Sequence, residues 1–249
     1  MTVTDSFNEI FGNKNRILVI MPHPDDAELY CGGTIARLVG EDKRVRIVKV
    51  TSGDRGSKQE KVSAQKLRSI REKEDREAMK VLGIRDDDNI YLGIGDGEIE
   101  NDLPTIGKIA YQIRKFKPDL IITTNPENMI IRFDKNVSWV NHRDHRNCGM
   151  SAIDAAYPYA RDLLFFPEHL REKGVDSHKT VEFLFTDYYN HPDLVYIDVT
   201  KYIDIRVKAH AAHSSQYSLK DARESADFFT KSKSFGNKRF ERFYYVLAD

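Results

Sequence analysis

The sequence predicts an α/β protein built on a Rossmann-like, mostly parallel sheet flanked by helices, with an elaborated C-terminal region. Three observations predict it. Arg16–Met21 reads RILVIM, a near-continuous apolar run suited to a strand covered on both faces. Strand-like and amphipathic helical stretches then alternate through the first half, as crossover connections between parallel strands require. The last third breaks that alternation.

Taken in order, residues 32–39 (GGTIARLV) read as the body of a helix, and 45–50 (VRIVKV) as a second strand ending at Ser52 and Gly53. Residues 63–82 form a long amphipathic helix whose buried stripe holds Leu67, Ile70, Ala78, Met79 and Leu82, with Gly83 as its stop. Residues 89–92 make a short third strand. Residues 104–116 make a helix opened by Pro104, and 119–123 (DLIIT) a fourth strand. A long loop is expected over 125–141, of the length that is usually functional, with Arg132, Phe133 and Trp139 helping to define a pocket, before helical spacing resumes at 145–160. Residues 180–188 and 194–199 read as two further strands, 203–213 as a helix, and 228–247 as a poorly patterned aromatic and basic tail. No repeat or linker divides the chain. The expectation is one domain over 1–249, with a core at about 16–216 and an extension at 217–249.

Thirty-nine Lys and Arg balance thirty-nine Asp and Glu, so no sequence-wide field attracts nucleic acid or an anionic membrane. A small polar substrate suits that neutrality, and homo-oligomerisation stays open. The first fifteen residues lack the apolar run of a secretion signal, and no stretch reaches membrane-spanning length. The two cysteines, Cys31 and Cys148, read as reduced, small, buried hydrophobes, which with the missing signal points to the cytoplasm.

The chemistry gathers at two places. Pro22-His23-Pro24-Asp25-Asp26 follows the first strand, where the crevice of an open parallel sheet binds ligands. A histidine and a carboxylate three residues apart in a turn stiffened by two prolines can reach one zinc ion, leaving Asp25 free. A third ligand is needed if one position is to stay open for water. Asn141-His142-Arg143-Asp144-His145 offers it, with a second imidazole to spare that the intervening aspartate can orient.

These two segments, PHPDDAE and HRDH, resemble the signature motifs of the PIG-L/LmbE-like deacetylase family. The similarity runs on through Cys31 to Ala36, the Thr51 to Asp54 turn, Arg71 with Glu74, Asp96-Gly97, and a late His213-Ser214-Ser215-Gln216. The resemblance implies that His23, Asp26 and His145 hold Zn2+, with Asp25 the general base on the water there. It implies removal of an N-acetyl group from an amino sugar or another N-acetylglucosamine-containing small molecule. His142 would stabilise the oxyanion, its protonated form favoured by Asp144, and either Asp25 or His142 could return the proton. Arg71 and Asp96 match positions that line the family's substrate pocket, and Arg55 could assist them.

Plainer roles stand beside these. Asp26 or Glu28 could simply cap a helix. Arg71 with Glu74 could be a solvated ion pair, Asp96-Gly97 an ordinary turn, and His213 a packed histidine at a helix end. The GIGDG stretch at 93–97 lacks dinucleotide-binding spacing. The competing functions are an amidase for a larger amide such as a thiol conjugate, and a sugar- or metal-binding module without turnover.

Overall fold

Successive residues of a strand face opposite sides of its sheet, so an unbroken apolar run demands cover on both. The computed structural model, which describes residues 3–57 and 61–248, provides it. Ile17, Val19 and Met21 enter one core and Leu18 and Ile20 the other. The elements in chain order are α1 (Phe7–Phe11), β1 (Arg16–Met21), α2 (Asp26–Gly40), β2 (Arg44–Thr51), α3 (Ala64–Leu82), β3 (Asn89–Ile94), α4 (Leu103–Phe116) and β4 (Leu120–Thr123). They continue with β5 (Ile130–Arg132), β6 (Ser138–Val140), α5 (Arg143–Asp154), β7 (Glu182–Phe185), β8 (Leu194–Asp198), α6 (Ile203–Ala211), α7 (Leu219–Thr230) and β9 (Phe240–Leu247).

Seven strands form one sheet in the order β3-β2-β1-β4-β7-β9-β8. The first five of these pair in parallel, and β9 runs antiparallel to both β7 and β8. The fold is thus the mostly parallel α/β sheet that the sequence predicts. One face carries α2, α3, α6 and α7 over a core that includes Ile35, Leu38, Met79, Leu82 and Val207; the other carries α4 and α5 over Ile109, Ile113, Cys148 and Ala152. Strand order reverses across β1, with β2 on one side and β4 on the other. Ligand crevices in such sheets form at this reversal, beyond the carboxyl ends of the strands.

Local signals set most boundaries. Ser63 caps α3 by accepting the Lys66 N–H, and Gly83 ends it at φ +77°. Asp102 caps α4 through the Thr105 N–H. Three expectations are corrected. The helix expected from residue 32 begins at Asp26, with an irregular backbone at Cys31. The expected loop over 125–141 contains the β5–β6 hairpin. The supposed tail over 228–247 holds the end of α7 and all of β9, an interior strand. Its basic residues are not all solvated: Arg239 pairs with Asp227, and Arg242 lies over the Tyr189 ring, 4.7 Å from its centroid.

Candidate active site

Five parallel strands deliver residues to one crevice. After β1 the chain turns through His23 to Asp26, after β2 comes Gly53, after β3 Asp96, and after β7 Asp187. The β5–β6 hairpin leads from β4 to His142 and His145 at the start of α5. Thr124 fixes that return by donating its hydroxyl to the His145 carbonyl at 2.6 Å. A cleft of about 360 Å³ opens there, and every predicted metal ligand lines it.

The donor atoms of His23, Asp26 and His145 lie within 4.8 Å of one another. His23 Nδ1 is 3.1 Å from Asp26 Oδ2, and His145 Nε2 is 3.5 Å from Asp26 Oδ1. Ligands about 2.0–2.1 Å from a tetrahedral ion sit roughly 3.3 Å apart, so the set fits a divalent cation. The electrostatics ask for one. The other nitrogen of His23 faces Asp96 at 3.2 Å and Asp144 at 3.3 Å, placing one imidazole among three carboxylates. Burial opposes charge on His23, but its hydrogen bonds to Asp144, Asp26 and Asp96 win and raise its pKa well above the usual value. Burial also works against ionised Asp26, yet the charge on His145 and hydrogen bonding from His23 hold its pKa at about 2.

Asp25 stands apart from this set. It occupies the cap position of α2 with φ +98°, a left-handed backbone that non-glycine residues rarely adopt, and its side chain makes no capping bond. The carboxylate instead accepts from Arg71 at 2.9 Å, and the same guanidinium donates to the Pro24 and Gly53 carbonyls at 2.7 and 3.0 Å. Burial raises the Asp25 pKa and Arg71 restrains it, leaving about 6. Asp26 spends its side chain on the His23 N–H at 2.9 Å, and Glu28 is fully buried against His213 at 3.2 Å, so neither is merely a helix cap.

The remaining predicted residues divide. His142 is the N-cap of α5, its Nδ1 accepting the Asp144 N–H at 3.2 Å. The Asp144 carboxylate favours charge on His142, but burial and the neighbouring imidazoles of His23 and His145 outweigh it and lower the His142 pKa. The same carboxylate accepts the Gly97 N–H at 2.7 Å and approaches His23. Arg71 and Glu74 are both buried and not paired as a surface bridge; Glu74 accepts instead from Ser214 and Ser215. Asp96 lines the cleft, and one of its oxygens accepts the Arg55 N–H at 3.2 Å. Arg55 itself is exposed and paired with Glu98. His213 does lie just past the end of α6, fully buried. Cys31 and Cys148 are free and buried.

Trp139, expected on the pocket-shaping loop, lines the cleft; sequence reasoning missed Asp187, Tyr30 and Tyr217, which line it too. The Asp187 carboxylate lies 3.8 Å from His145 Nδ1, where it can orient the ring, the usual support for a ligating histidine. It sits directly after β7, and position at that strand end was the one signal that could have found it.

Two imidazoles and a carboxylate beside a separately held acid, at the reversal point of a parallel sheet, define the class: a hydrolase of the metal-assisted kind. The PIG-L family model, described as GlcNAc-PI de-N-acetylase, matches residues 18–156, over half of the chain, and the protein belongs to that family. The chain is 27% identical to diacetylchitobiose deacetylase of Thermococcus kodakarensis over 84% of this chain and 73% of that protein. It is 29% identical to a probable N-acetyl-alpha-D-glucosaminyl L-malate deacetylase 2 of Bacillus anthracis, covering 84% of each. Its fold matches N,N'-diacetylchitobiose deacetylase from Pyrococcus horikoshii with a TM-score of 0.81 at 24% identity, over 97% of this chain and 87% of that one. Among the described residues no helix is long and apolar enough to cross a membrane.

Proposed function

We propose that this protein is a zinc-dependent N-deacetylase that hydrolyses the acetamide of an amino sugar or of an N-acetylglucosamine-containing small molecule. The observation that carries it is the convergence of His23, Asp26 and His145 donor atoms within 4.8 Å, next to a carboxylate, Asp25, that Arg71 ties back. The curated relatives, deacetylases of N-acetylated sugars by name, support the same reaction class. When bound by His23, Asp26 and His145, zinc supplies Lewis acidity toward the amide carbonyl and acidifies water.

The chain's own residues account for the rest. Asp25, with one oxygen fixed by Arg71, takes a proton from the attacking water; a pKa of about 6 keeps it ionised, yet basic enough, near neutral pH. His142 accepts a backbone N–H at Nδ1, so its neutral ring carries the proton on Nε2. It therefore donates a hydrogen bond to the developing oxyanion as a neutral imidazole, in keeping with its lowered pKa. Asp144 holds His23, and Asp187 orients His145. Arg71 is first a positioning residue for Asp25, and Asp96, held by the Arg55 N–H and His23, faces substrate hydroxyls from the cleft wall. A binding module without turnover has no use for a second carboxylate restrained in this way.

Asp25→Asn tests the reading. Acetate release from an N-acetylated amino sugar should fall by at least about 10³-fold, the scale of a lost general base together with its positioned charge. Release at the wild-type rate would refute the assignment.

A further inference from the structure

The cleft has two unlike walls. One carries the carboxylates and imidazoles described above. The other is aromatic and begins at a proposed metal ligand: the His145 ring meets Tyr30 at 5.8 Å, Tyr30 meets Phe229 at 5.6 Å, and Phe229 meets Trp139 at 5.8 Å. Trp139 lies on β6 opposite Ile131 of β5, so both side chains share the hairpin face that lines the cleft. Its indole stacks on Phe228 with centroids 5.5 Å apart and planes 9° from parallel, and Phe133 packs against it at 4.7 Å. A side chain gripped in this way has little freedom left to lose, yet Trp139 is still 44% exposed. Folding alone does not call for so large an apolar group held rigid at the mouth of a polar cleft.

We propose that Trp139 is the stacking platform of a second subsite, which receives a neutral ring joined to the N-acetylated sugar. This inference rests on the deacetylase reading above and specifies its substrate. A hexopyranose with equatorial hydroxyls presents axial C–H bonds on its faces, and those faces lie flat on an indole, burying apolar area against a pre-set surface. Ring contacts reach from His145 to Trp139 through Tyr30 and Phe229, and the proposal sets the platform beside the neighbouring ring, with the acetamide under attack at the His145 end.

Charge decides between a neutral and an acidic substituent. Among the described residues Arg71 is the one Lys or Arg lining the cleft, and its guanidinium is occupied by Asp25 and two carbonyls. Asp25, Asp26, Asp96 and Asp187 line the same cleft. A carboxylate or phosphate on the second group, away from the metal position, would find these carboxylates and no free Lys or Arg among the described lining residues. The site therefore favours a disaccharide or another neutral ring glycoside over an acidic conjugate.

The test compares kcat/KM for acetate release from N,N'-diacetylchitobiose, N-acetylglucosamine and N-acetylglucosaminyl malate. Wild-type protein should favour the disaccharide over each of the others by about tenfold or more. In Trp139→Ala the ratio of disaccharide to monosaccharide should fall at least fivefold, while Trp139→Phe, which keeps a stacking ring, retains most of it. Trp139 is the chain's single tryptophan, so its emission reports on this wall alone and should shift with the disaccharide at concentrations where N-acetylglucosamine has no effect. Preference for the malate conjugate, an unchanged ratio in Trp139→Ala, or unresponsive emission would each overturn the subsite. Emission that responds to the disaccharide while no acetate is released from any of the three would support the subsite and overturn the deacetylase reading instead.

Discussion

At the scale of single residues, the site depends on groups whose own neighbours restrict them. Arg71 can hold Asp25 only because Gly53 lets it pass. A Cβ built at Gly53 would lie 2.2 Å from an Arg71 terminal nitrogen, and the backbone there has φ +61°. Gly53→Ala should therefore act twice: left-handed strain costs about 1–2 kcal/mol, and the displaced guanidinium loosens its grip on Asp25. The expected result is a kcat lower by roughly 10- to 100-fold, the scale of misplacing a catalytic group by an ångström, in a protein that still folds. A variant with wild-type kcat would show that the Arg71 to Asp25 contact has no part in turnover. Glycine in the TSGD turn was visible in the sequence, but its partner was not, because Arg71 lies 18 residues further on and reaches it across the fold. The left-handed backbone of Asp25 was equally hidden, since nothing in PHPDD distinguishes a strained aspartate from a capping one. The second contact of Asp144 was hidden for a related reason: adjacency to His142 suggested one partner, while the start of α5 also turns the carboxylate toward His23.

At the scale of elements, β1 to β4 and the helices between them were legible because each buries a continuous or periodic apolar set. β9 was not, and the cause is Glu241. It interrupts the pattern FERFYYVL, yet it is buried because Arg206 of α6 lies 3.3 Å away and the Gly33 and Thr34 N–H groups donate to it at 2.9 and 2.7 Å. A charge neutralised from distant elements looks like a surface residue in one dimension. The β5–β6 hairpin was hidden by its brevity, three residues a side. Helix α6 carries a second buried group with a measurable consequence. His210 is fully buried, its Nδ1 near the Ser225 hydroxyl at 3.2 Å and its ring against Tyr217. Burial first, then the charges of Arg206 and His213, lower its pKa to about 3, against the weaker pull of Asp26 and Asp221. Unfolded, the ring titrates near 6.5. Between those values only the unfolded chain takes up the proton, so the stabilisation is complete above about pH 6.5 and is lost as pH falls. From pH 7 to pH 5 this group alone should remove about 2 kcal/mol. Denaturant titrations at both pH values should show that loss in the wild type and a correspondingly shallower change in His210→Gln. Equal pH dependence in the two proteins would place the histidine elsewhere.

At the scale of the whole molecule, the order of the sheet turns scattered motifs into one site. Reversal of strand order across β1 sets the turn after β1 facing the start of α5, which is why PHPDDAE at 22–28 and HRDH at 142–145, far apart in the chain, share a cleft. The two motifs and their meeting place were readable because each follows a recognisable strand. Of the aromatic wall, Phe133 and Trp139 were readable on the long loop, but their packing with Tyr189 and Phe228 was not, because these come from segments with no common periodicity and meet only when the hairpin folds against α7. The account's central claim is that His23, Asp26 and His145 together hold one divalent ion while Asp25 does not ligate it. Metal content per chain, measured after exhaustive dialysis and reloading with zinc, addresses this directly. One ion per chain is expected in the wild type and in Asp25→Asn, and near-complete loss in His145→Ala. Full metal retention in His145→Ala, or loss of the ion in Asp25→Asn, would contradict the assignment.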